Sequence, residues 1–375
     1  MTAAETLSEL VAIDSVSQRS NSEIVDYLQA RCERIGFKVK RFSYHDEGGE
    51  KTNLIAMVGP DSSDHSHAEL ALVGHTDTVP FDPNWTEATT LTERDGKLFG
   101  RGACDTKGFI AAALTAVESL DLTSLQRPMA LIFTADEEIG LLGAKYLAQV
   151  KPLTIRYSIV GEPTSLKPIR AGKGYSLATV VVHGREAHSA YPTLGASAIT
   201  RAARLISRLE NISEDLKSDR HEGFEPAFTT LNVGLIRGGT AKNVLAGECT
   251  FTLEWRPIPS QKPTLVLDLL NKVIDEEMTR DPDFKCEVEC GRNDTGFETS
   301  NSSELVTFLE EVTGQKSGSV AFGTEGAQMS LLGSEAVVLG PGDIREAHRT
   351  GEFVPIEDLN RCVEILSQAI EKFCF

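Results

Sequence analysis

Five short apolar runs constrain the fold most strongly: TNLIAMVG (52–59), ELALVG (69–74), PMALIFT (128–134), RYSIVG (156–161) and AVVLG (336–340). None shows the every-other-residue polar alternation of a half-exposed strand, so each reads as a strand buried on both faces. Helical spacing lies between them over 5–13, 22–36, 107–120 and 140–149, and returns over 302–313 and from Pro355. Buried strands alternating with helices imply an α/β domain whose helices cover both faces of a sheet.

From Gly172 the pattern changes. GYSLATVVVHG alternates like a half-exposed strand, and GASAITRAARLISRLE is an amphipathic helix. Strands FTTLNVGLIRGG and GECTFTLEWR, helix PTLVLDLLNKVIDEEM and strand FKCEVEC follow. This β-α-β-β-α-β order is that of a ferredoxin-like α+β domain. The chain of 375 residues is long for a single core. The expectation is a first domain of residues 1–171 and 291–375, with residues 172–290 inserted into it.

The net charge of −18 argues against a nucleic-acid partner. The opening MTAAETLSELVAID has no basic stretch of a secretory signal, and the apolar runs are too short to span a membrane. A cytoplasmic protein is expected. Seven scattered cysteines without a CxxC pair suit reduced thiols rather than a disulfide framework.

The ends of the buried strands carry the chemistry. ALVGHTD ends on His75 and Asp77, FTADEE on Asp136, Glu137 and Glu138, and SIVGEPTS on Glu162. VVLGPGDIREAH brings His348, and GRGACDTKG places Asp105 ahead of the Ala-rich helix. Taken singly, each has an ordinary structural role: His75 a turn residue, Asp105 a helix cap, Glu162 a turn before Pro163. Together they occupy the carboxyl ends of strands, where open α/β sheets form their ligand sites. Two imidazoles and several carboxylates are a zinc ligand set. Two divalent ions sharing a carboxylate would neutralise their mutual repulsion. His65 and His67 read as residues of a polar loop, Cys104 as a packed small residue, and His183 as a strand residue.

In this order and spacing, GHTDTVP, GRGACDTKG, TADEEIG, GEPTS and EAH resemble the M20 family of dinuclear zinc peptidases and deacylases. The resemblance extends over essentially the whole chain. It implies a zinc-peptidase-like catalytic domain with a mixed sheet flanked by helices, and an inserted ferredoxin-like lid and dimerisation domain. Two zinc ions per subunit are implied, with cobalt able to substitute. His75, Asp105 and Glu162 would hold one ion, and Asp105, Glu138 and His348 the other. Glu137 would take a proton from the attacking water and pass it to the leaving amine. Asp77 would hydrogen-bond the other ring nitrogen of His75, and the Asp105–Thr106 peptide would be cis. Asp136 would cap the following helix or brace the loop.

In the inserted domain, the resemblance implies that His188 reaches the partner subunit's active site and stabilises an oxyanion. Arg256 would grip a substrate carboxylate, with Asn243 as a second contact. The stretches GHTDTVPFD, LTERDGKL, GEPTSLKP and LGPGDIREAH are most similar to the branch that deacetylates N2-acetyl-L-ornithine in arginine biosynthesis. Glu325, in the loop FGTEGAQM, would then receive the δ-ammonium of ornithine. Other members of the family act on succinyl-diaminopimelate, acetylcitrulline or further acyl amino acids. A catalytically silent metal-binding protein is the alternative of a different class. A small-molecule substrate and a homodimer through the inserted domain complete the expectation, with no nucleic acid and no membrane.

Overall fold

The computed structural model describes residues 1–46, 49–60 and 66–375, so His65 lies outside the described residues. The chain divides into two compact units. One comprises Met1–Arg170, Glu298–Gly318 and Thr324–Phe375, and the other Ala171–Phe297 and Ser319–Gly323.

In the first unit the main sheet runs in the order Lys38–Asp46, Gly49–Val58, Met129–Thr134, His67–His75, Thr154–Val160 and Glu335–Val338. The first two strands are antiparallel to each other, and Gly49–Val58 is antiparallel to Met129–Thr134. The remaining four run parallel, so their carboxyl ends share one edge of the sheet. Their centres are fully buried, as continuous apolar runs require. Helix Lys107–Glu118 owes its near-complete burial to small residues, with Ala111, Ala112, Ala113 and Ala116 all in the core. Helix Ile356–Cys374 is amphipathic, burying Leu359, Cys362, Leu366, Ala369, Ile370 and Phe373 at i, i+3 and i+4 spacing.

Besides several strands of two to four residues, an edge strand and a short helix escape a reading of periodicity. Strand Lys38–Asp46 lies at the sheet edge, where Lys38, Lys40 and Arg41 are exposed and hide the apolar signal. Helix Gly326–Leu331 has only six residues, too few to display a helical period. Consequently Glu325 stands at a helix start rather than in a loop.

The second unit is a four-stranded antiparallel sheet in the order Thr230–Gly238, Glu248–Arg256, Tyr175–His183 and Lys285–Asp294. This is the ferredoxin-like arrangement, with helices Ala198–Leu216 and Leu265–Arg280 packed on the sheet. Tyr175–His183 buries alternate residues, and Val180, Val182, Phe251, Leu253 and Trp255 form the core with Leu205, Leu209 and Leu270. The return to the first unit comes later than the expected 290/291 boundary. The last strand continues past a bulge between Cys290 and Arg292 and pairs Asp294 with Tyr175. Among the described residues, no helix is long and apolar enough to cross a membrane. All seven cysteines are free thiols.

Candidate metal centre

Four adjacent parallel strands deliver the acids and imidazoles. His75 is the last residue of its strand and pairs in register with Thr134, the last residue of the next. Asp136, Glu137 and Glu138 follow Thr134 after one residue, Ala135, and Glu162 comes two residues after Val160. Asp105 arrives from the other side, ahead of helix Lys107–Glu118. That helix lies tight against the sheet: a Cβ on Gly161 would stand 2.2 Å from the Phe109 ring. Only glycine permits this approach. The Asp105–Thr106 peptide is cis, as expected.

The side chains converge. His75 Nε2 lies 3.0 Å from Asp105 Oδ1, and His348 Nε2 lies 3.1 Å from Asp105 Oδ2. His348 Nε2 is also 3.0 Å from Glu138 Oε2. Three donor trios have ligand atoms within 4.8 Å of one another: His75, Asp105 and Glu162; Asp105, Glu138 and His348; and His75, Glu137 and Glu138. The first trio is buried throughout, whereas the His348 side chain is 52% exposed.

Charge and burial pull these groups apart. Burial raises Glu162 well above the usual carboxylate range, and the nearby Asp105 and Glu137 add to the effect. Burial also raises Glu137 well above that range, opposed by His75 and reinforced by Glu138. Glu138 is raised by burial too, against its hydrogen bond with His348. Asp105 is lowered although burial opposes it, because His348 and His75 both hydrogen-bond to it. His75 is held above its ordinary value by Asp105 and Asp77 despite burial. His348 rises to about 10 through its hydrogen bonds with Asp105 and Glu138. Crowded carboxylates kept from ionising are the state a bound cation relieves. The oxygen and imidazole donors therefore fit divalent ions.

Three expectations need refinement. His75 Nδ1 makes its hydrogen bond to the main-chain carbonyl of Asp77 at 3.0 Å, while the Asp77 carboxylate stands 3.6 Å away. The carboxylate oxygens are engaged elsewhere. They accept the N–H groups of Glu137 at 3.1 Å and Glu138 at 3.3 Å, and the Ser17 hydroxyl at 2.7 Å. Asp77 therefore orients both His75 and the acidic loop. Asp136 braces rather than caps: its buried carboxylate pairs with Lys51 Nζ at 2.8 Å and accepts from Tyr44 at 2.9 Å. Lys51 is a bracing side chain that the sequence does not reveal. Its one signal is a lysine in the polar first half of strand Gly49–Val58, ahead of the apolar run LIAMV.

The third refinement concerns the surroundings of Glu325. It is 0% exposed, with Thr134 beside its carboxylate. Burial raises it to about 7, with His75 opposing. Its enclosure follows from the short helix that begins there, which the sequence does not reveal.

In the second unit, His188 and Asn243 are exposed and brought side by side. Val244 bridges to His188, and Ser189 N donates to the Asn243 carbonyl at 3.0 Å. Arg256 lies at the opposite end of the sheet. It donates to Glu254 at 2.8 Å and stacks its guanidinium 3.9 Å from the Tyr175 ring centre. From the pair Glu248–His183 to the pair Trp255–Ser176 the strands advance seven residues, about 24 Å at ~3.4 Å per residue. His183 donates to or accepts from Glu287 at 3.0 Å as a strand residue, and His67 contacts Thr154 at 3.1 Å.

The chain matches peptidase family M20/M25/M40 over residues 71–372. It is 52% identical over 371 residues to the acetylornithine deacetylase of Myxococcus xanthus, covering 98% of this chain and 97% of that protein. It is 34% identical to the acetylornithine deacetylase of Klebsiella pneumoniae (strain 342), covering 98% and 96%. Among solved structures it resembles an M20 family metallo-carboxypeptidase, Sso-CP2 from Sulfolobus solfataricus. The TM-score is 0.75 at 20% identity, with 99% of both chains covered.

Proposed function

Since the chain belongs to peptidase family M20/M25/M40, a family of metal-dependent amide hydrolases, we propose that it deacetylates N2-acetyl-L-ornithine to L-ornithine and acetate. The step belongs to arginine biosynthesis in this reading. The observation that carries the chemistry is the Asp105 carboxylate, which presents one oxygen to His75 and the other to His348. That arrangement suits a residue shared between two ions, one with His75 and Glu162 and one with Glu138 and His348. Zinc fits this donor set, and cobalt accepts the same ligands. When bound, such ions polarise the acetyl carbonyl and make water nucleophilic at neutral pH.

The remaining work falls to side chains. Glu137 neighbours His75 and Glu138 without belonging to either ligand trio that contains Asp105. Its own N–H is held by Asp77, which supports a role in taking a proton from the attacking water and returning it to the leaving nitrogen. Its tendency to hold a proton suits a group that must carry one between two atoms. Asp77 keeps His75 and this loop in mutual register. Arg256 would grip the substrate carboxylate, while His188 and Asn243 would contact the substrate and its oxyanion. The separation of about 24 Å between the two ends of their sheet supports taking these contacts from two subunits. The exposed Leu235 and Ile236 on edge strand Thr230–Gly238 are consistent with a homodimer formed through that edge.

The reading is tested by free-amine release from acetylornithine, acetylcitrulline and succinyl-diaminopimelate, using zinc- or cobalt-loaded protein. Acetylornithine should be turned over fastest. Faster turnover of either other substrate would reassign the activity, and inertness toward all acyl amino acids would overturn it.

A further inference from the structure

Asp105 and His348 face each other across 3.1 Å, yet both sit on irregular chain rather than on a strand. Asp105 closes the segment between strand Lys97–Phe99 and helix Lys107–Glu118, and His348 lies between Glu335–Val338 and Phe353–Pro355. Something must hold these two segments together. The side chain that does so is Glu352, which is 0% exposed and four residues beyond His348.

Glu352 Oε1 accepts two main-chain N–H groups, that of Cys104 at 2.9 Å and that of Asp105 itself at 3.0 Å. Its Oε2 receives Arg101 Nη1 at 2.5 Å, and its carbonyl accepts Gly100 N–H at 3.0 Å. Arg101 is itself buried. The next residues continue the connection, with Phe353 paired to Phe99 and Val354 to Leu98. One buried carboxylate thus joins the Asp105 segment to the His348 segment by charge-assisted hydrogen bonds.

We propose that Glu352 is the positioning residue of the Asp105–Glu138–His348 half of the centre, fixing the separation of Asp105 and His348 and thereby the retention of the ion they share. It belongs to none of the three donor trios. The inference rests on reading Asp105 and His348 as ligands of one ion. It predicts an asymmetric effect. The other half shares Asp105, but its His75 and Glu162 are placed by strands that do not depend on Glu352, so that ion should be less affected than the one that also needs His348.

The test titrates metal-free wild type, Glu352→Gln and Glu352→Ala with Co2+, following visible absorption and calorimetry, with circular dichroism to verify folding. Wild type should bind two equivalents. If it binds fewer, the metal reading of the site fails before Glu352 is at issue. In Glu352→Ala the weaker equivalent should lose about 10–100-fold in affinity while the tighter one changes far less. Glu352→Gln keeps an oxygen for the two N–H groups but loses the charge opposite Arg101, so it should fall between. Should the alanine variant fail to fold, the glutamine variant decides: an unchanged second constant overturns the proposal. Equal weakening of both equivalents would also overturn it, because Glu352 would then act on the fold at large.

Discussion

The two halves of the centre share Asp105 but differ in almost everything else. His75 and Glu162 are buried and stand at the ends of adjacent parallel strands. His348 is half exposed and borne on irregular chain that depends on a separate anchor. In the buried half, position follows from the register of the sheet, at the cost of desolvating a carboxylate that burial pushes well above its usual range. In the open half, solvent lowers that cost, but geometry has to be imposed by side chains. A tighter ion in the buried half and a more exchangeable one in the open half is the expected consequence.

The harshest way to break this contrast is Asp105→Ala. Both ions should be lost on gel filtration, with activity reduced to background; metal analysis showing one ion retained would mean that Asp105 is not shared. Glu137→Gln should come next, with kcat falling about 10²–10⁴-fold while both ions remain. The neighbouring Asp136→Asn should leave kcat far less affected and appear instead as a lower Tm, because Lys51 loses its buried partner. A comparable kcat loss in both variants would erase the division of labour within TADEEIG.

His348→Ala sharpens the contrast further. Metal analysis should find the open ion depleted and the buried one kept, and loss of both would show that the halves are not independent. The smallest effect is in proton count. In the metal-free protein His348 is raised from its ordinary 6.5 to about 10 by Asp105 and Glu138, so it is protonated at neutral pH. That stabilisation is complete below pH 6.5 and disappears as pH rises through about 10. Ion binding at pH 7 must therefore expel the proton. Calorimetry in buffers of different ionisation enthalpy should register its release in wild type and its absence from His348→Ala. An unchanged proton count would contradict this placement of His348.

Much of the first unit is legible because its strands are buried on both faces and so read as unbroken apolar runs. Every residue of the two Asp105-containing trios follows such a run or precedes the Ala-rich helix. The contributions of Lys51 and Glu352 were not legible, since a lysine and a glutamate look like solvent-facing residues until the chain encloses them. Asp77 shows the intermediate case. Its proximity to His75 follows from two-residue spacing, but its bonds to the N–H groups of Glu137 and Glu138 span about sixty residues and depend on strand pairing.

By itself, the sequence determined which chemistry could be assembled: imidazoles and carboxylates at the ends of buried strands, interrupted by a ferredoxin-like insert. Composition and periodicity act locally, so they survive in the linear chain. Only the tertiary structure decided how the acids divide their work. Asp136 turns to Lys51, Asp77 gathers the N–H groups of the acidic loop, and Glu325 is enclosed. Those roles are set by distance and desolvation, which depend on neighbours brought together from remote positions, and no residue carries them in its own identity.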